Sequence, residues 1–562
     1  VLPPLPAAAG IVGIVGITDR PSADGTLVGV TKVAEIATVL GPGSMVTMPE
    51  LVHALANGAS EAVVSHVSGG VVAAAMLKNP SNNDVIELRC RAPGAWGNEL
   101  TAEVRNTLDA DRAIIRSTVR ILRGGAVVET HADLRSSPGD PDDLLDTINS
   151  RSRYVVAIDP TFRDDRPEQI EQDFPADGDR NISVRTAARA GSTARDFLVF
   201  TPIGDANAAT GRRLRITHVG PAAQRGVRVE VFQDGLQESF DNLVMDPDSD
   251  LYMPFVILTQ SKLISVRSLR TTVAGGRLPA AGNTAFTLGV SPTVDQYAAA
   301  IDRLADDTRI DLVLASIEPR RSVAASSSQE AEVRQIHQAL LSHAVVMADQ
   351  GAPRIAFGSV TRDEQANVDA IRDHAAFLRS RRFVLVAPSG AEGAVAGIVG
   401  RLATQDSPTF NTVPLFEISP TTYRDSQLNR LLGPTINALV VQARTGRGVV
   451  VLKGIDTTGD QISVTRVADQ CIRETKAISE NFISRLNSDE TRTALKQQIV
   501  ATFTRLERAG ALVPSTDGKD PAFVVDVYST QQDFAQGIVR VDIAVRPVRA
   551  IDYVYATIRV KN

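Results

Sequence analysis

The chain has 562 residues, too many for a single hydrophobic core and enough for roughly three or four domains of ordinary size. Its 43% hydrophobic and 22% charged residues are those of a globular protein, and a net charge of −6 excludes the strongly basic surface of a general nucleic-acid binder. No apolar run reaches the length of about 18 residues that crosses a bilayer, so membrane insertion is not expected.

Two cysteines, Cys90 and Cys471, cannot make a disulfide framework; they suit a reducing compartment and read as small buried hydrophobes. The opening Val1-Leu2-Pro3-Pro4-Leu5-Pro6 has no basic stretch ahead of an apolar one, so no secretory signal is expected. Residues 1–83 read as the first part of an α/β core. Short apolar stretches alternate with glycine from Gly10 to Ile17, and a strand is expected at Thr26–Val30. Helices are expected from Thr31 to Val39 and over Pro49–Asn57, the second closed by Gly58, before a buried strand at Glu61–Val67.

From Asp84 to about Leu269 helical periodicity fades and short alternating stretches predict β-rich structure. A loose internal repeat runs through it. Gly125, Glu129-Thr130, Leu134, Asp140-Pro141-Asp142 and Ser150-Arg151 recur in order as Gly235, Glu238-Ser239, Leu243, Asp246-Pro247-Asp248 and Ser261-Lys262. The expectation is two inserted β-rich modules, 84–158 and 197–290, joined by a polar connector over 159–196. That connector is rich in Asp, Arg, Gly and Pro and reads as a surface loop.

Residues 291–562 return to alternating α and β. Helices are predicted over Val294–Leu304, Glu330–Met347, Asp363–Arg379 and Ala394–Thr404. The strands between them, Ile310–Ala315, Arg354–Gly358 and Phe383–Ala387, are continuous apolar runs of the kind buried on both faces. The fold class expected is therefore an α/β core with a doubly wound, mostly parallel sheet, plus the β-rich insertions. Two long amphipathic helices follow. The first carries Val467, Cys471, Ile478, Phe482 and Leu486 on one face; the second presents Leu495, Ile499, Phe503 and Leu506 and stops at Gly510. The chain then alternates as strands do: Val541, Ile543 and Val545 share one face, and after Pro547 so do Val554, Ile558 and Val560, with Tyr553 and Tyr555 beside them.

A search for chemistry finds little. Gly390, Gly393, Gly397 and Gly400 follow a strand and open a helix, but they satisfy neither phosphate-loop spacing, and close helix packing explains them better. The seven histidines form no H-E-x-x-H pattern and have no cysteine partner, so no metal or other cofactor is expected. There is no G-x-S-x-G nucleophile turn.

Several segments, in order, resemble the contractile tail sheath family of phages, R-type bacteriocins and extracellular contractile injection systems. They are Ala8–Gly13 with Val28–Gly41, Leu51–Val64, the turn Ala92-Pro93-Gly94-Ala95-Trp96-Gly97-Asn98-Glu99-Leu100, the helix within Val464–Asn487, and the ending Val541–Val560. The resemblance covers about residues 8–110 and 290–562 and implies a structural subunit, not an enzyme. Its expected partners are further copies of itself in a helical sheath, an inner tube, a baseplate and a terminal cap; no nucleic acid is expected. It also implies assembly in the bacterial cytoplasm followed by residence in a phage tail or contractile particle. The strand residues Val541, Ile543, Val545, Tyr553, Val554, Tyr555, Ile558 and Val560 would pair with a neighbouring subunit. Arg466, Arg473, Lys476 and Arg485 would face the tube. Two other readings stay open: another self-assembling shell or filament protein, and an α/β nucleotide-binding enzyme.

Overall fold

The computed structural model describes residues 10–20, 25–111, 113–137, 140–160, 166–176, 180–187, 195–204, 211–220, 226–269, 273–317, 327–418, 421–433 and 436–551. The chain opens with β1 (Ile11–Gly16), β2 (Val28–Val30), short helices α1 (Ile36–Val39) and α2 (Ser44–Thr47), then α3 (Pro49–Ala56) and β3 (Glu61–His66). Glycine at Gly58 reverses the chain after α3 with φ of 107°, the C-terminal stop expected there. After Thr31 the backbone makes a 3-10 turn, Val33–Glu35, before α1, where one continuous helix was expected.

A first inserted module holds β4 (Ala74–Lys78), β5 (Asp84–Cys90), β6 (Leu100–Leu108), β7 (Ile114–Arg123), β8 (Ala126–Leu134), helix α4 (Leu144–Arg151) and β9 (Val155–Ile158). A second holds β10 (Ile170–Asp173), β11 (Ile182–Arg185), β12 (Asp196–Pro202), β13 (Arg213–Val219), β14 (Gly226–Phe232), β15 (Leu236–Leu243), helix α5 (Met253–Gln260) and β16 (Ile264–Ser268). Next comes β17 (Gly282–Ala285), which returns to pair with β6. The two modules share one plan. Sheet β17-β6-β7-β8 answers to β10-β13-β14-β15, and β4-β5-β9 answers to β11-β12-β16, antiparallel throughout.

The repeat extends to individual hydrogen bonds. Glu129 accepts from the Ser152 hydroxyl (2.6 Å) and the Arg153 N–H (2.8 Å), and Glu238 accepts from the Ser261 hydroxyl (2.6 Å) and the Lys262 N–H (2.7 Å). Leu144 N–H meets the Arg135 carbonyl as Met253 N–H meets that of Val244, both at 2.8 Å. Asp133 and Asn242 occupy the same left-handed backbone position, at φ of 55° and 57°. The serine equivalent to Ser261 is thus Ser152; the sequence pairing with Ser150 was out of register. The polar connector is also corrected. It supplies β10 and β11, whose Ile182 and Val184 are buried, so much of it is sheet and not surface loop.

The core continues with α6 (Val294–Arg303), β18 (Leu312–Ala315), α7 (Ser327–Asp349), β19 (Ile355–Ser359), α8 (Val368–Phe377), β20 (Phe383–Ala387), α9 (Glu392–Arg401), α10 (Asp425–Leu431), β21 (Leu439–Arg444) and β22 (Gly448–Val451). Its eight-stranded sheet runs β2-β3-β1-β18-β19-β20-β21-β22, parallel from β3 to β21 and antiparallel at both edges. Strand periodicity splits each apolar run between two cores. Ile11, Val15, Val313, Phe383 and Leu385 pack beneath α6, α7, α8 and α10, while Val12, Ile14, Leu312, Val384 and Val386 pack beneath α1, α3 and α9. The mixed α/β class is as expected. The glycines of α9 serve close packing, though against α3 more than the sheet: a Cβ on Gly393 or Gly397 would collide with the carbonyl of Glu50 or Ala54, and Gly400 lies against Gly10.

The C-terminal part contains α11 (Ile462–Glu480), α12 (Asp489–Arg508), β23 (Phe523–Tyr528), α13 (Gln531–Ala535) and β24 (Arg540–Val545). Leu495, Ile499, Phe503 and Leu506 are buried against Val467, Cys471 and Ile478, as the periodicity requires. Leu486 is the exception at 84% exposed, because α11 ends at Glu480 and the chain turns at Ser484 with φ of 72°.

Candidate assembly surface

The strand expected at the end of the chain is β24, and it forms an antiparallel hairpin with β23. Phe523 faces Val545, Val525 faces Ile543, and Val527 faces Val541. The apolar alternate residues pack on α12, where the rings of Phe503 and Phe523 meet edge to face at 5.6 Å. Among the described residues this sheet has two strands only, so neither outer edge has a ladder partner. An unpaired edge of this kind is a template for a strand from another chain. Tyr553, Val554, Tyr555, Ile558 and Val560 lie outside the described residues.

The chain is steered out of this hairpin by a fixed exit. Val513 N–H donates to the Arg546 carbonyl (3.0 Å), and Val548 N–H donates to that of Ala511 (2.9 Å). Gln461 then grips Ala550 by both backbone groups at 2.8 Å, and Arg549 pairs with Asp460 at 2.7 Å. Nothing in the local sequence marks Gln461 for this task, since its partner lies far along the chain.

The four cations read as tube-facing do not form one free surface. Arg466, 5% exposed, donates to the carbonyls of Leu402 and Ala403 at 3.2 Å and caps the end of α9. Arg473 donates to the carbonyls of Thr308 (2.7 Å), Ile310 (2.5 Å) and Pro353 (2.7 Å). Burial pulls both guanidiniums down from their ordinary range, and Asp311 opposes that pull. With Asp469 paired to Arg382 at 2.9 Å, these residues fasten α11 across the amino ends of the core strands. Carbonyls within the chain take the terminal nitrogens of Arg466 and Arg473, so neither stands on the surface as a free cation. Lys476 reaches the Gln350 carbonyl (3.0 Å) from an exposed position, and the exposed Arg485 lies 4.6 Å over the Phe482 ring.

Among the described residues no cluster of three His, Cys, Asp or Glu side chains could hold a metal ion, and no helix is long and apolar enough to cross a membrane. Burial pushes the Cys471 thiol up to about 12 and that of Cys90 higher still, so neither is a poised nucleophile.

Residues 456–561 match the family model of the phage tail sheath C-terminal domain, so the resemblance read from the sequence is borne out over the segment that carries the hairpin. No curated protein matches. Among solved structures, the chain is similar to a sheath tail protein from Desulfitobacterium hafniense at 13% identity, covering 98% of this chain and 96% of that one, with a TM-score of 0.44. It is similar to a sheath tail protein from Listeria innocua at 10% identity, covering 96% and 95%, with a TM-score of 0.42. The helical sheath of the anti-feeding prophage in its contracted state is similar at 17% identity, covering 50% and 78%, with a TM-score of 0.37.

Proposed function

We propose that this chain is the structural sheath subunit of a contractile, phage-tail-like injection machine, polymerising around an inner tube and contracting to drive it through a target envelope. The observation that carries the reading is the two-stranded β23–β24 sheet, open at both edges among the described residues, inside a segment that matches a sheath C-terminal domain. In this reading Tyr553–Val560 of one subunit completes the hairpin of the next. Eight extended residues span about 25 Å, enough to run the length of a six-residue strand. Val541, Ile543 and Val545 hold the receiving strand on α12. The energy of contraction comes from new subunit contacts, with no catalytic step. Lys476 and Arg485 remain the cations available to meet an acidic inner tube; baseplate and terminal cap proteins complete the partners. The particle assembles in the bacterial cytoplasm. The core, whose chain leaves β1 toward both edges of its sheet, is read as doubly wound.

The test is deletion of Tyr553–Asn562. Each ladder hydrogen bond contributes on the order of 1 kcal/mol net, so the truncated subunit should stay folded by circular dichroism yet form no tubes in electron micrographs. Tubes at full yield, or a subunit that unfolds, would sink the exchange reading.

A further inference from the structure

The outer face of the β23–β24 hairpin carries its charges in an arrangement that weakens the hairpin itself. Strand alternation turns Val525, Val527, Val541 and Ile543 toward α12 and leaves Asp526, Tyr528, Arg540 and Asp542 on the other side. Asp526 and Asp542 stand directly opposite each other in the ladder, and like charges so placed destabilise a sheet. Lys496 offsets the first of them, reaching Asp526 at 3.5 Å. Among the described residues no Lys or Arg pairs with Asp542, whose carboxylate accepts from the Tyr528 hydroxyl at 2.9 Å. Arg540, two residues away on the same face, is taken: its Nε and Nη2 both donate to Asp533 at 2.8 Å. Asp542 is thus exposed on an open edge strand, with a carboxylate opposite it and no cation of its own.

The segment that follows Ile551 has the complementary pattern. With Val554, Ala556, Ile558 and Val560 turned toward α12 beside Val541 and Ile543, a period of two puts Tyr555, Thr557, Arg559 and Lys561 on the outer face, where Asp542 stands. The side chains of Tyr553–Asn562 include two cations and no carboxylate. The apolar alternation decides which side of such a strand is buried, but a slip of two residues keeps every side chain on its face. A charge pair tells those registers apart.

We propose that Asp542 docks the terminal strand of a second copy of this chain, meeting its Arg559 with Lys561 beside it, and that this pairing sets the register of the exchange. The inference rests on the exchange reading above and is tested by charge reversal in the full-length chain. Asp542→Lys removes the repulsion within the hairpin, so the urea midpoint of the subunit should hold or rise. The protein concentration needed for tubes should nevertheless rise roughly tenfold or more. Arg559→Glu with Lys561→Glu should impair tubes in the same way, and all three reversals together should restore them. Should Asp542→Lys fail to fold, Asp542→Asn keeps an acceptor for Tyr528, and its tubes should form with a weaker dependence on salt than those of the wild type. The proposal is overturned if Asp542→Lys assembles as the wild type does, or if Asp542→Asn leaves the salt dependence unchanged. It is also overturned if the triple reversal restores nothing, which would assign Asp542 to a cation of another partner. These failures are distinct from failure of the exchange itself, because deletion of Tyr553–Asn562 abolishes tubes for an exchanged strand whatever Asp542 pairs with.

Discussion

Glu364 shows how much a single buried carboxylate can carry in this core. Burial alone would push its carboxyl up, but His374 Nδ1 at 2.9 Å, the Thr361 N–H at 2.9 Å and Arg334 at 2.7 Å hold it down to about 2. Beyond His374 the chain of contacts continues to His337 at 3.0 Å, so α7 and α8 are joined through polar groups. Because the folded value lies below the unfolded one, this carboxylate stabilises the protein above the ordinary carboxylate range, and that stability is lost as pH falls through about 2. Glu364→Gln should cost about 3 kcal/mol at neutral pH. Urea midpoints measured from pH 7 down to pH 3 should fall less steeply for the variant than for the wild type; parallel curves would show that the carboxylate is not held as described. None of this network was legible: the seven histidines form no motif in the sequence, and only the folded chain sets His374 on Glu364 and His337 on His374.

At the scale of elements, legibility followed the strength of the pattern. Phe383–Ala387 was read to the residue because a five-residue apolar run closed by Arg382 and Pro388 is too short for a helix and fits a strand buried on both faces. The α12 face was equally plain. Leu486 was misassigned because the helical spacing continues on paper past Glu480, and no residue there announces the positive φ that ends it. β10 and β11 were missed because strands of four residues in an Asp- and Arg-rich stretch offer too few apolar positions to show alternation. The glycine series on α9 had two meanings in sequence, and the fold selects one. Gly397→Ala should force α9 away from α3, since its Cβ meets backbone that cannot give way. A loss of about 1–3 kcal/mol in thermal or urea unfolding is expected; an unchanged midpoint would mean that the helices separate freely.

For the molecule as a whole, the connector read as a surface loop is part of a folded module. Replacing residues 166–187 with a Gly/Ser linker would remove β10 and β11, two strands and the buried Ile182 and Val184 of the second module. That module should lose its exchange protection or the chain its solubility, whereas a soluble variant with an intact module would mean the strands are dispensable. The nesting of the units has a further consequence, in the time taken to make the chain. The first module cannot be completed by its own residues: β6 waits for β17, and its core waits for Leu278 and Phe286. At a synthesis rate of about 5–20 residues per second, the ~180 residues between those strands impose a delay of about 10 to 40 seconds. During that interval the second module, contiguous from β10 to β16, is finished first. The core sheet must wait longer still, because β18 to β21 emerge after both. The ribosome thus delivers the units outermost first, and they close from the innermost outward.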